Sequence, residues 1–241
     1  MPRLYTIKAV FKEAMKTGLR LQTINAMIKD NYAHIWDCCC DHGLLGMTIL
    51  KRQLADTVHF VDIVDTITEQ VHRHLYKHFS DQAFANKWQV HCTDVAKLPI
   101  DRFIADNQQH SHLIIIAGVG GDLLIEFVQQ IVTANPTLKL EFILCPVHHN
   151  YKVRQALIEL NFNLIDEIIT CENKRFYEVI HVIRNSTNNE PIANVGSKMW
   201  DLSEPLHQKY LTIRLNHYQR IQNNPNENVS EIIQAYQALK A

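Results

Sequence analysis

Several signatures that would narrow the function at once are missing from this chain. There is no G-x-G-x-x-G to hold a pyrophosphate, which disfavours a dinucleotide ligand. No Cys-x-x-Cys pair occurs, so a structural zinc site has little support and no metal is expected. The six cysteines are a contiguous trio, Cys38, Cys39 and Cys40, with Cys92, Cys145 and Cys171 placed singly. Contiguous residues on a strand alternate faces, so the trio does not converge on one ion and reads as small, apolar free thiols. The longest apolar run, Leu113 to Gly121, stops at Asp122 and is too short to span a bilayer, so no membrane partner is expected. The start Met1-Pro-Arg-Leu-Tyr5 has no signal-peptide core, from which a cytoplasmic location is expected. No global charge advertises a polyanionic partner: 24 Lys and Arg stand against 25 Asp and Glu, a net charge of −1. Fourteen histidines would make the surface positive near pH 6. No internal repeat and no low-complexity segment is present.

What is there is a globular composition, with 46% hydrophobic and 20% charged residues over 241 positions, enough for one α/β domain and a small appendage. Residues 1–33 read as a helical lead-in that is locally basic through Arg3, Lys8, Lys12, Lys16 and Arg20. Such a bias is either a solvated helix face or an arm that contacts RNA. Strands are expected at His34–Cys40, Val58–Val61, Trp88–Cys92, Leu113–Ala117 and Glu141–Cys145. Helices fit at Leu44–Leu54, Asp65–Phe79, Asp122–Ala134 and Tyr151–Leu160, with a shorter one near Arg102–Asn107. Phe162–Ile169 and Phe176–Ile183 are close enough to pair as a hairpin. The pattern predicts an α/β fold: a mainly parallel, seven-stranded, doubly wound sheet with a terminal antiparallel hairpin. The polar loop Asn185–Pro191 separates residues 1–190 from a helical-hairpin appendage over 191–241.

The chemistry gathers at the predicted carboxyl ends of the strands, where α/β folds bind ligands. Asp37 closes strand one, Asp62 closes strand two and Asp94 follows strand three. Strand four ends in Ala117-Gly118-Val119-Gly120-Gly121 and strand five in Cys145-Pro146-Val147-His148-His149. Any one of these acids can simply cap a helix. Three at consecutive strand ends suit a nucleoside with a ribose diol, an adenine amino group and an ammonium. Without a pyrophosphate clamp, that combination fits S-adenosylmethionine. The glycines let backbone approach a ligand closely, and they equally serve tight βα turns.

Asp37-Cys38-Cys39-Cys40-Asp41-His42-Gly43, Ile116-Ala117-Gly118-Val119-Gly120-Gly121 and Phe176-Tyr177-Glu178-Val179-Ile180 together resemble the bacterial tRNA (adenine-22-N1)-methyltransferase family. Leu19-Arg20-Leu21-Gln22-Thr23 is similar to that family's N-terminal helix, and 197–241 to a short form of its helical appendage. The chain is divergent. Cys39 stands at the family's first-turn glycine, and Cys145-Pro146-Val147 stands where Gln-Pro-Asn is usual. The resemblance implies a Rossmann-like class I methyltransferase that uses S-adenosylmethionine and acts on adenine N1 in tRNA. Residues expected at the cofactor are Asp37, Cys39, Asp62, Ile63, Asp94, Val95, Ala117 and Gly118; those facing substrate are Gly120, Gly121, Pro146, His148 and Tyr151. Asp41, with His42 second, is the expected proton acceptor, because both lie at the turn beside the methyl donor. Lys51, Arg52, Lys152 and Arg154 would extend the basic lead-in into a path for RNA. Two alternatives remain: a methyltransferase of this fold on another substrate, or a binding module that has lost the cofactor. Oligomeric state is open.

Overall fold

The computed structural model describes residues 17–103, 112–186, 188–224 and 228–240. Arg3, Lys8, Lys12 and Lys16 of the lead-in lie outside the described residues. Within them the lead-in contributes one helix, α1 (Leu19–Met27). Alternation then follows: β1 (Tyr32–Cys38), α2 (Leu44–Arg52), β2 (Ala55–Asp62), α3 (Asp65–His78), β3 (Trp88–Cys92), β4 (His112–Ala117), α4 (Gly121–Ala134), β5 (Leu140–Cys145) and α5 (Asn150–Glu159). β6 (Phe162–Glu172), β7 (Arg175–Arg184) and β8 (Glu190–Pro191) complete the sheet, and α6 (Pro205–Gln222) and α7 (Ser230–Ala238) form the tail.

The sheet order is β3-β2-β1-β4-β5-β7-β6-β8. β1 to β5 pair in parallel, and β7 runs antiparallel to β5 and β6. That is the expected Rossmann-like sheet with one correction: a two-residue eighth strand pairs with β6. A strand so short, inside a polar loop, has no periodicity to betray it. The β6–β7 hairpin turns on Asn173 and Lys174, both left-handed at φ 49 and 64, as a two-residue turn between twisted strands requires. The short helix expected near Arg102–Asn107 is instead a 3₁₀ turn over Ile100–Phe103, and 104–107 lie outside the described residues.

Successive residues of β1 point into different cores. Ile35 joins one cluster with Ile24 and Met27 of α1, Leu45 and Ile49 of α2, and Val71 and Leu75 of α3. Trp36 joins the other with Leu124, Val128 and Ile131 of α4 and Val153 and Leu157 of α5. Central strands covered on both faces must be apolar throughout, which is why β4 reads Leu113-Ile114-Ile115-Ile116. The histidines are not all surface charge: His59, His112 and His181 are buried. Among the described residues, no helix is long and apolar enough to cross a membrane.

The tail packs back onto the sheet. Leu211, Leu215, Tyr218, Ile233 and Tyr236 close over Tyr151 at the start of α5. Beneath them Arg154, fully buried, meets Glu167 of β6 at 2.7 Å and Glu178 of β7 at 2.8 Å.

Candidate active site

The turn from β1 to α2 is held in an uncommon backbone. Cys39 (φ 56), Asp41 (φ 48) and Gly43 (φ 69) are all left-handed, which costs a non-glycine residue about 1–2 kcal/mol. The Gly43 N–H donates to the Cys40 carbonyl at 2.7 Å, and the Cys40 N–H to Val61 of β2 at 3.1 Å. Asp37 lies beneath, buried, its Oδ2 accepting the Gly46 N–H of α2 at 2.8 Å. Gly46 makes that approach possible: a Cβ there would sit 2.4 Å from the Phe60 ring and 3.0 Å from Asp37 Oδ2. Burial pushes the Asp37 carboxyl up to about 7, against the pull of the Gly46 N–H and with a contribution from the Asp62 charge.

Asp62, at the end of β2, accepts the Val64 N–H at 3.0 Å on Oδ1 and the Asp41 N–H at 3.4 Å on Oδ2. It therefore ties the β2 end to the cysteine turn. Ile63 beside it is 68% exposed, an apolar side chain standing at the rim. Asp94 accepts the Ala96 N–H at 3.0 Å and caps a 3₁₀ turn whose first residue, Val95, is buried. The three acids do line three adjacent strand ends, and each also has a local structural duty.

A cavity of about 80 Å³ opens at this edge, lined by Asp37, the cysteine trio, Asp41, His42, Ala117 and Arg20. Arg20 reaches in from α1. Its guanidinium lies 5.2 Å from the Tyr177 ring centroid, and its Nη1 sits 3.4 Å from where a Gly118 Cβ would be. Its Nε is buried and has no hydrogen-bond partner among the described residues. This is well below the ~300 Å³ of an ordinary small-molecule site, and Asp62, Ile63 and Asp94 lie outside its lining. From the sequence, Arg20 belongs either to a solvated helix face or to an RNA-contacting arm. Helical spacing alone could not show that α1 begins against the ligand edge of the sheet. Asp41 and His42 stand at the mouth, 3.6 Å apart and both exposed.

The turns after β4 and β5 interlock. Gly118 (φ 89) donates to the Cys145 carbonyl at 3.2 Å, and Val147 donates to that of Val119 at 2.9 Å. A Cβ on Gly120 would meet the His148 ring at 2.7 Å, and one on Gly121 the His148 carbonyl at 2.6 Å. The glycine turn thus exists to admit the histidine turn. Pro146 is buried within it and His148 exposed. His149 Nδ1 lies 2.6 Å from Asp122 Oδ2, while Lys152 takes the other oxygen. Those two hydrogen bonds, Lys152's the larger, hold the Asp122 carboxyl below its usual range. Tyr151 is 8% exposed, packs with Leu211, Leu215 and Tyr218 of the tail, and lines a cavity between α5 and the tail together with His148, His149 and Lys152. Arg154 is buried too, and Arg52 donates to backbone oxygens of Asn25 and Ile28, so neither is free for RNA.

A family model described as a methyltransferase domain matches residues 17–180. The fold is shared with the B. subtilis m1A22 tRNA methyltransferase at TM-score 0.66 and 22% identity, covering 94% of this chain and 95% of that one. The *M. capricolum* enzyme in complex with S-adenosyl-homocysteine gives TM-score 0.68 at 16% identity, covering 93% and 94%. A *Streptococcus agalactiae* protein of the NADB-Rossmann superfamily gives 0.71 at 16%, covering 94% and 98%. No curated protein matches the chain by sequence.

Proposed function

The chain belongs to the methyltransferase domain family, and from that premise we propose that it transfers a methyl group from S-adenosylmethionine to N1 of an adenine in tRNA. The observation that carries this reading is the carboxyl-edge cleft. Asp37 lines it, Asp62 and Asp94 stand at the two neighbouring strand ends just outside its lining, and Arg20 enters it with an Nε that is buried and has no hydrogen-bond partner among the described residues.

The residues fit that cofactor. Asp62 keeps lone pairs to spare after two backbone donors, enough for the two hydroxyls of a ribose diol. Asp94 has one oxygen committed to Ala96 and another for an adenine amino group. Ile63 supplies an exposed apolar face for the base, with Val95 beneath. At the other end, Asp37 suits the ammonium and Arg20 the carboxylate of the amino-acid tail. Cys39, Ala117 and Gly118 form the walls between them.

When bound, the cofactor supplies a methyl group on an electrophilic sulfonium. The protein's work is alignment and the handling of one proton. Attack by N1 leaves a cationic base, and removal of an N6 proton relieves that charge. Asp41 is placed to accept it, with His42 beside it as second candidate. Gly120, Gly121, Pro146 and His148 form the adjoining wall against which the target base is held.

A second reading has its own observation. The basic path for tRNA is thinner than the sequence implied, since Arg154 is buried and Lys152 and Arg52 are already paired. That favours a substrate other than tRNA on the same fold. Incubating the purified protein with S-adenosylmethionine and unmodified tRNA, then digesting to nucleosides for mass spectrometry, separates the two. The proposal expects 1-methyladenosine. Cofactor binding without any methylated nucleoside would move the assignment to a non-RNA substrate.

A further inference from the structure

The strands that build the cleft also carry a row of side chains the reaction does not use. The register of β1 with β2 and β4, and of β2 with β3, puts His34, His59, His91 and His112 on one face of four neighbouring strands. His34 Nδ1 lies 3.0 Å from His59 Nε2, and His59 Nδ1 lies 2.9 Å from His91 Nε2. The Trp36 indole stacks on His59 at 3.8 Å between centroids and donates its N–H to His112 Nδ1 at 3.2 Å. His34 stacks on His112 at 4.9 Å, and Phe103 covers the row edge-on, 4.6 Å from His59. His59 has no exposed surface and His112 is 1% exposed.

A neutral imidazole has one donor and one acceptor. Three in a row are therefore satisfied when His34 donates to His59 and His59 to His91. A proton arriving at His59 gives that ring two N–H groups, and one of them then opposes a neighbour's N–H until the neighbour changes tautomer. Among the described residues, the groups whose charge acts on His59 are His91 from β3, His34 from β1 and His112 from β4, and the one that acts on His91 is Arg102 from the 3₁₀ turn. All are neutral or cationic.

We propose that this row of imidazoles makes the central sheet acid-labile: the folded row resists protonation, so as pH falls the chain takes up protons by unfolding, and the carboxyl-edge cleft is lost with the sheet. Burial first, then the neighbouring rings, pushes His59 down to about 2, and burial pushes His91 down as well. The sign follows from linkage. A histidine depressed in the folded state contributes its full stability above the unfolded value near 6.5, and loses it as pH falls below that value, because only the unfolded chain takes up the proton.

Urea unfolding of the full chain between pH 4.5 and 7.5, followed by circular dichroism, tests this. Below pH 6.5 each depressed histidine raises the unfolding constant by up to about tenfold per pH unit. His59→Gln keeps a donor and an acceptor between His34 and His91 but cannot be charged. Its unfolding constant should climb about tenfold less per pH unit than that of the unaltered protein. If His59→Gln does not fold, imidazole nitrogen shifts of the unaltered protein at pH 5.5 decide the matter: a neutral His59 is expected. Parallel pH dependences for the two proteins, or a native His59 imidazolium at pH 5.5, would overturn the proposal.

Discussion

Replacing Arg154 with methionine tests how the tail is held beside the site. The guanidinium is 1% exposed and meets Glu167 Oε2 at 2.7 Å through Nη1 and Glu178 Oε2 at 2.9 Å through Nε. Nη1 also donates to the Ala193 carbonyl at 3.2 Å. Each carboxylate then holds the tail with its other oxygen. Glu167 Oε1 accepts the Lys198 N–H at 2.8 Å, and Glu178 Oε1 accepts the Tyr210 hydroxyl at 2.7 Å. One cation therefore balances two buried anions. Removing a single partner from a buried pair costs about 3–5 kcal/mol, and two stranded carboxylates put this case at the upper end. At roughly 2–4 °C per kcal/mol for a chain of this size, the thermal midpoint should fall by about 10–20 °C. The loss should depend on pH. Burial pushes the Glu167 carboxyl up, but Arg154 and the backbone donors of Ser197 and Met199 more than offset it and hold it below its usual value. Without Arg154 burial wins at Glu167, so the gap between variant and unaltered protein should narrow from pH 7 to pH 5 as its stranded carboxyl takes up a proton. Thermal scans by circular dichroism at both values are sufficient. A drop under about 2 °C, or an equal drop at both pH values, would refute the reasoning.

Three further outcomes follow from the cysteine turn and its surroundings. With Asp37 pushed up to about 7 by burial, its ionised fraction falls about fivefold from pH 7 to pH 6. Cofactor affinity should weaken by that factor in calorimetry and become independent of pH in Asp37→Asn. Cys39→Gly relieves a left-handed cysteine but frees the unfolded chain, so stability should stay within about 1 kcal/mol while cofactor affinity falls, because the thiol packs against the core. Tighter binding would instead mean that the thiol crowds the ligand. Gly46→Ala drives a methyl into the Phe60 ring and should cost about 1–3 kcal/mol in urea unfolding; a neutral result would show that the ring yields.

The parallel sheet was legible because its central strands are short apolar runs separated by helix-length amphipathic segments, and the acids at their ends could be read by counting. What escaped depended on contacts distant in sequence. Arg154 and Tyr151 sit on a helix whose polar face would be solvated but for the tail folding over it. The row of four histidines is invisible to a composition count, because register across four strands is what makes them neighbours. Arg20 looked like surface charge, since the direction in which α1 meets the sheet is set by packing and not by its own periodicity.

The central claim is that the carboxyl edge of the sheet, at the ends of β1, β2, β3 and β4, holds S-adenosylmethionine. Titration calorimetry of the unaltered protein and Asp62→Ala against that compound tests it most directly. The account predicts one site per chain in the unaltered protein. Loss of a charge-assisted hydrogen bond, worth about 1.5–3 kcal/mol, should weaken binding tenfold or more in the variant. Equal affinity in the two proteins, or no binding by the unaltered protein, would contradict it.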